Sequence, residues 1–541
     1  MMRVIAVISM LHEGAEQNSG TRRFRDLPVL DWTLRRLSGA TSLESATIFC
    51  WDDQLAAVNR VAESPRRGAG TGVITKGVRQ VPPSMAAITT ARRWADGWRS
   101  GLLGTCEFDL GFHPLWVQEL MHLHDADAVL LVDPAAGLLD PLLVESLVRY
   151  AEAHPEPELC FMQAAPGLTG TLLRRPLVDR LTIANVHPGR LLTYFPDQHG
   201  PDPIGKPGCA PVPTPVARST NRFKLDSDRQ IARAQKTTAH LNGQLITSDA
   251  EQLVLAMRGS ENADQLPREV VLELNTTRRS RPDFWPGKHL RIDRPEMTVE
   301  TAERLFREIA RWDDVRLILA GVGDPLLMGN VFQIIAAARS AGINAIGLET
   351  DLIATADTLG QLARSELDVV SVHFPAAHDV NYAQMMGADA FAHVFNNVAI
   401  LEQQVKERGS GTPLISMLFT KTAANLAEME VWYDYWLHRF GHAVIIGPSD
   451  YAGQMPDLAV ADMSPQIRKP CNRLWSRMTV LSDGRVVSCE QDVCGKQTMG
   501  IVGETPIQEI WQQRFTPMRK CHQSGDWKST ALCGGCREWH R

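Results

Sequence analysis

The chain has 541 residues, several times a typical domain length of roughly 150, which calls for two to four domains rather than one core. Its 56 Lys and Arg against 62 Asp and Glu leave a formal charge of −6, with 44% hydrophobic and 22% charged residues. That balance is ordinary for a globular protein and speaks against a disordered chain and against a strongly basic, specific nucleic-acid binder.

The opening apolar stretch, residues 4–11, runs straight into His12, Glu13 and Gly14. It reads as a first buried strand (3–9) and not as a signal peptide, so a cytoplasmic location is expected. No apolar run approaches the roughly 18 residues of a membrane helix. A helix over 30–37, a strand over 46–50, a strand over 128–133 ending in Asp133, and a helix over 138–153 follow. This alternation predicts an α/β layer, and acids at the carboxyl ends of such strands lie where open sheets bind ligands. Residues 196–215, rich in Pro and Gly, read as a long irregular excursion, after which 218–234 resumes the pattern. From about residue 265 the alternation becomes countable. Strands are expected at 270–275, 315–320, 345–349, 368–374, 414–419 and 443–447, and helices at 299–312, 331–341, 357–365, 391–408 and 425–440. Six such steps predict a parallel sheet, most economically closed as a partial (β/α)6 TIM-like barrel.

The ten cysteines are unevenly placed: Cys50, Cys106, Cys160 and Cys209 are scattered, none occurs between 210 and 470, and Cys471, Cys489, Cys494, Cys521, Cys533 and Cys536 crowd the last 71 residues. Without a secretion signal, clustered thiols read as metal ligands before they read as disulfides. Ser482-Asp483-Gly484 is a hairpin turn that brings Cys471 and Cys489 toward each other, and Cys533-Gly534-Gly535-Cys536 is a CxxC loop whose glycines let backbone amides approach a metal or sulfide. Four thiolates suit either iron–sulfur or zinc.

These spacings, with Glu509-Ile510-Trp511 between them, resemble the SPASM/twitch domain that follows radical SAM cores, over residues 471–541. The resemblance implies that Cys471, Cys489, Cys533 and Cys536 ligate one [4Fe-4S] cluster. Cys494 and Cys521 are left over, and a free thiol is their simpler reading. Trp475 and Trp511 could look like electron relays for a redox enzyme, but their spacing reads first as core packing.

The run from Gly321 to Leu327, with Leu348-Glu349-Thr350-Asp351 and residues 368–372, resembles the strand ends of radical SAM enzymes over 268–455. That likeness puts Gly321, Gly323 and Asp324 at cofactor-binding positions. The chemistry of those enzymes needs three thiolates in a CxxxCxxC loop after the first strand, and here Glu273 to Thr277 leads into Arg278-Arg279-Ser280-Arg281-Pro282. Reductive cleavage of S-adenosylmethionine is therefore not expected. Arg278, Arg279 and Arg281 stand at the expected barrel mouth, where they form either an anion site for phosphate or carboxylate or a solvated basic loop.

Residues 25–37, 128–141 and Arg222-Phe223-Lys224-Leu225-Asp226 resemble cytidylyltransferase-like sugar nucleotidyltransferases, with a Rossmann-like (GT-A-like) fold and the last segment matching the family's R-x-T-V-D. The resemblance implies that Asp133 and Asp226 bind Mg²⁺ for phosphoryl transfer. Singly, each acid also suits helix capping or a surface position. Residues 11–20 depart from the family's Gly-rich phosphate loop and carry two glutamates, Glu13 and Glu16.

Three domains are thus expected: 1–255, cytidylyltransferase-like; 265–465, a radical SAM-like barrel without the cluster cysteines; and 466–541, SPASM. The combination resembles the spiro-SPASM group. It implies a non-radical binding or accessory iron–sulfur protein for a peptide, nucleotide or sugar-phosphate ligand. The alternative is a sugar-activating cytidylyltransferase with the barrel and cluster as regulatory modules. Whether the chain is an enzyme stays open.

Overall fold

The structure is a computed structural model that describes residues 2–63, 71–99, 101–194, 197, 202–258 and 264–540. It divides into two compact units, Met1–Ser260 and Glu261–Arg541. Residues 195–196 and 198–201, which include the start of the Pro/Gly-rich excursion, lie outside the described residues.

The first unit is built on a seven-stranded mixed sheet. Its strands are β1 (Val4–Ser9), β2 (Ser45–Cys50), β3 (Thr71–Thr75), β4 (Ala128–Val132), β5 (Leu159–Met162), β6 (Thr171–Arg174) and β7 (Cys209–Ala210), in the order β3-β2-β1-β4-β6-β5-β7. β1 pairs in parallel with both β2 and β4, whereas β6 runs antiparallel to β4 and β5. Every residue of β1 and β4 is buried, which is why both read as unbroken apolar runs. The chain leaves β1 toward β2 on one side and returns to β4 on the other. The strand order therefore reverses at β1, and the crevice beyond the carboxyl ends of β1 and β4 is the natural ligand position of such a sheet. The helices Val29–Leu37 and Pro141–Ala153 match the expected ones closely. Asp140 caps the second, accepting from Leu142 N at 2.9 Å. β3, β5, β6 and β7 have no counterpart in the sequence reading, being short and lacking a sustained alternation.

The second unit carries six consecutive parallel strands: β8 (Glu269–Leu272), β9 (Arg316–Leu319), β10 (Ala345–Thr350), β11 (Val369–His373), β12 (Leu414–Thr420) and β13 (Val444–Ile446). Each lies within a residue or three of its expected position. The crossover helices Val299–Ile309, Val331–Ser340, Ala356–Arg364, Phe391–Arg408 and Met429–Phe440 pack over them. Leu305, Ile334, Leu359 and Leu401 are fully or nearly fully buried against Leu319, Ile346 and the rest of one continuous core. The helix Asp379–Met386 was not expected.

The sheet does not stop at the barrel. β14 (Arg477–Val480) pairs in parallel with β8, Glu269 opposite Arg477 and Leu272 opposite Val480, and β15 (Arg485–Val487) and β16 (Thr498–Ile501) follow antiparallel. The cysteine-rich C-terminal segment is thereby stitched onto the edge of the first barrel strand. An ion-pair chain supports the seam: Glu269 pairs with Arg316 at 3.1 Å and Arg477 at 2.8 Å, and Arg477 pairs with Glu490, next to Cys489, at 2.7 Å. Trp511 is buried and packs on Phe515, as a core aromatic should.

Candidate functional site

In the C-terminal segment, the turn at 482–484 joins β14 to β15 and delivers Cys489 just past the end of β15. Cys471, Cys489, Cys533 and Cys536 are all partly buried. Burial pushes every one of these thiols up: Cys489 well above its usual range and Cys536 to about 11, with Cys471 adding to the electrostatic load on the other three. Cys521 likewise bears on Cys533. Such thiols do not ionise unaided, and a bound cation is what would convert them to thiolates. The Sγ atoms of Cys489 and Cys536 each accept a backbone N–H, from Gln491 and Glu538, at 3.3 Å. Arg468 donates to the Cys533 carbonyl at 2.5 Å, and the Cys471 amide donates to Nδ1 of buried His522 at 3.2 Å. His522 was not singled out from the sequence, where a lone histidine on a helix carries no signal. Among the described residues no group of three or more His, Cys, Asp or Glu side chains is already placed to hold a metal ion. A cubane spreads its ligands over four irons, one thiolate to each, and four cysteines are the donor set it takes.

In the barrel, the loop after β8 turns inward. Arg278 binds Asp351 through Nε at 2.8 Å and through a second, shorter contact, and Ser280 also donates to Asp351. The guanidinium lies 3.9 Å above the Trp285 ring, and its side chain is only 7% exposed. Arg279 is exposed and donates to the Ile353 carbonyl, while Arg281 is exposed and its amide donates to Met386. The three arginines are therefore not gathered into one cationic mouth, because Arg278 is already neutralised by a buried carboxylate.

Gly321 and Gly323 are close-approach positions. A Cβ on Gly323 would stand 1.9 Å from Asn275 Oδ1, and one on Gly321 would stand 2.6 Å from Glu273 Cγ. Asp324 is buried and both its oxygens are used: Oδ1 accepts from Leu326 N at 3.0 Å, and Oδ2 from Thr350 Oγ1 at 2.9 Å and Asp351 N at 3.1 Å. Burial, then the neighbouring Asp351, holds Asp324 above the usual carboxylate range, whereas Arg278 draws Asp351 below it. Glu273 is clamped by Arg294 at 2.9 and 2.7 Å and by the amides of Val322 and Ser482. Beside this cluster His373 is buried, packs edge-on against Trp285 at 5.2 Å, and is pushed down to about 3 by burial and by Arg278. Its Nδ1 and the buried Tyr382 hydroxyl have no hydrogen-bond partner among the described residues.

In the first unit, Asp133 follows β4 directly, and the extended segment 222–226 lies beside it, tied by Leu225 N to Ala135 O at 2.9 Å. Lys224, 1% exposed, places its ammonium 2.6 Å from Asp133, 2.5 Å from Glu107 and 3.6 Å from Asp226. Arg222 pairs with Asp226 and lies 3.7 Å from Glu107, which Arg92 also reaches at 3.2 Å. Burial would raise Glu107, but Lys224, Arg222 and Arg92 bring it down to about 2; the same carboxylates hold Lys224 protonated against its own burial. The carboxylates assigned to Mg²⁺ are thus brought together, but around an ammonium, and the arrangement does not fit the metal. Glu107 was not anticipated. The signal for Lys224 was present, since it stands where the R-x-T-V-D pattern has threonine.

Residues 279–429 match the Radical SAM superfamily, and residues 471–537 match the iron–sulfur cluster-binding SPASM domain. An uncharacterized protein of Treponema pallidum (strain Nichols) is 31% identical over 120 residues, 21% of this chain and 32% of that one. The chain thus matches about a third of the length of this curated relative. Among solved structures, BtrN in complex with AdoMet and 2-DOIA is similar at 18% identity and a TM-score of 0.36, covering 50% of this chain and 94% of that one. Streptococcus suis SuiB bound to S-adenosylmethionine is similar at 15% identity and a TM-score of 0.40, covering 57% and 84%. The second unit carries a Radical SAM domain followed by an iron–sulfur cluster-binding SPASM domain.

Proposed function

We propose that this chain is a non-radical iron–sulfur protein: one [4Fe-4S] cluster on Cys471, Cys489, Cys533 and Cys536, and a barrel that binds a small-molecule, sugar-nucleotide or peptide ligand without cleaving S-adenosylmethionine. The observation that carries this reading is the loop after β8. It has no cysteine, since none occurs between 210 and 470, and Arg278, Asp351 and Trp285 fill its inner side. A cluster there would need three thiolates and space that a buried guanidinium occupies. The residues expected at cofactor-binding positions, Gly321, Gly323 and Asp324, instead lock adjacent loops together.

The C-terminal cluster would supply either a reversible electron site or a rigid cross-link. The chain's own part is to hold four thiols within one small segment, donate N–H groups to two of them, and tie that segment to β8 through Glu490, Arg477 and Glu269. Among the described residues no helix is long and apolar enough to cross a membrane.

The test is iron and acid-labile sulfide content on anaerobically purified protein, with an assay for reductive S-adenosylmethionine cleavage on the same sample. About four irons and four sulfides per chain, lost in Cys471→Ser and Cys533→Ser, with no 5′-deoxyadenosine formed, is the expected result. About eight irons, or 5′-deoxyadenosine formed under reducing conditions, would overturn it.

A further inference from the structure

We infer that the Lys224 ammonium is a built-in replacement for a divalent cation: the crevice beyond β1 and β4 works without metal, and removing this one amine opens a Mg²⁺ or Mn²⁺ site on Glu107, Asp133 and Asp226. The three carboxylates come from three separate segments and meet on a single Nζ at 2.5, 2.6 and 3.6 Å. Without a cation between them they would repel one another in a largely buried place, so something positive is obligatory. Oxygen-only ligation is what a hard divalent ion takes, at about 2.0 to 2.6 Å, and an ammonium of similar placement excludes it by charge and by space.

The amine is held where it is. Phe223 N donates to Pro166 O at 2.7 Å and Leu225 N donates to Ala135 O at 2.9 Å, fixing the backbone on both sides of Lys224. Gly167, at φ +96°, lets the two segments touch, since a Cβ there would stand 2.5 Å from Lys224 N. Around it Lys224, Arg222 and Arg92 face Glu107, Asp133 and Asp226, and Arg22 donates to the Asp226 carbonyl. A nucleoside triphosphate that depends on a bridging metal finds neither a vacant carboxylate pair nor an uncommitted cation among these residues. Metal-dependent nucleotidyl transfer is therefore not the chemistry of this crevice, and the ligand it takes is recognised without Mg²⁺.

The probe is Mn²⁺, titrated into the full-length protein and read by the loss of its free electron paramagnetic resonance signal, with Mg²⁺ as competitor. Wild type should show no saturable site that Asp133→Asn removes. Lys224→Ala, and Lys224→Gln which better keeps the volume, should each gain one Mn²⁺ per chain, displaced by Mg²⁺ and lost when Asp133→Asn is added. Both variants should melt lower than wild type and recover on Mg²⁺ but not on NaCl of equal ionic strength. Saturable Mn²⁺ binding by wild type that depends on Asp133 would overturn the inference, whether or not the lysine variants fold. A folded Lys224→Ala or Lys224→Gln protein that binds no Mn²⁺ and gains no thermal stability from Mg²⁺ would overturn it as well.

Discussion

Arg278 and Asp351 form a buried pair, Nε to Oδ2 at 2.8 Å, between the loop after β8 and the end of β10. Because both charges are withdrawn from water, breaking the pair leaves one of them buried alone, which costs more than the pair itself contributes. Arg278→Ala should therefore destabilise the second unit by about 3 to 5 kcal/mol. The Arg278→Leu/Asp351→Leu double variant should recover part of that loss. Urea unfolding of the singles and the double measures the coupling; additive losses would show that the pair is not a unit.

Gly323 and Gly329 make a matched comparison on one loop. A Cβ on Gly323 meets Asn275 Oδ1 at 1.9 Å and Asn275 O at 2.5 Å, whereas one on Gly329 meets nothing within 4 Å. Gly323→Ala should cost about 1 to 3 kcal/mol or more through overpacking, and Gly329→Ala should stay within about 0.5 kcal/mol of wild type. Thermal melts of the two variants suffice.

Buried His373 and His442 are held down, to about 3 and about 4, first by burial, with Arg278 adding to it at His373. A folded-state value below the unfolded one means that unfolding takes up protons. The stability these neutral rings contribute is complete above about pH 6.5 and is lost as pH falls toward 4 and then 3. In that window each histidine should steepen the loss by about 1.4 kcal/mol per pH unit. His373→Asn should flatten the slope of stability against pH between 6.5 and 4 by about one proton. An unchanged slope would mean that this ring is solvated.

The six C-terminal cysteines should separate into two classes. Ser substitutions at Cys471, Cys489, Cys533 and Cys536 should each abolish iron binding, while Cys494→Ser and Cys521→Ser should retain it, as read by iron content and the visible charge-transfer absorption. Chelation of the iron should also expose residues 516–540 to limited proteolysis, because that segment has few large buried side chains of its own, Met518, Leu532 and Trp539 among them.

The parallel strands and crossover helices of the second unit were legible from periodicity alone. Fully buried strands such as Leu414–Thr420 leave continuous apolar runs, and helices such as Phe391–Arg408 keep a regular buried stripe. Cysteine positions likewise marked the C-terminal segment, since thiols are scarce and their clustering is visible in one dimension. Short strands such as Leu159–Met162 and Thr171–Arg174 were not legible, because four residues hold too little pattern and their pairing is decided by β4 and β7 beside them. Glycines 321 and 323 looked like ligand-approach positions, yet what approaches them is the loop after β8. The same holds for charge. Sequence by itself determined that Asp133, Asp226, Lys224 and Arg278 are present, and their residue types suggested metal and anion sites. Only the tertiary structure decided that Lys224 stands between the acids and Arg278 against Asp351, because opposite charges far apart in the chain find each other only when folding withdraws both from water.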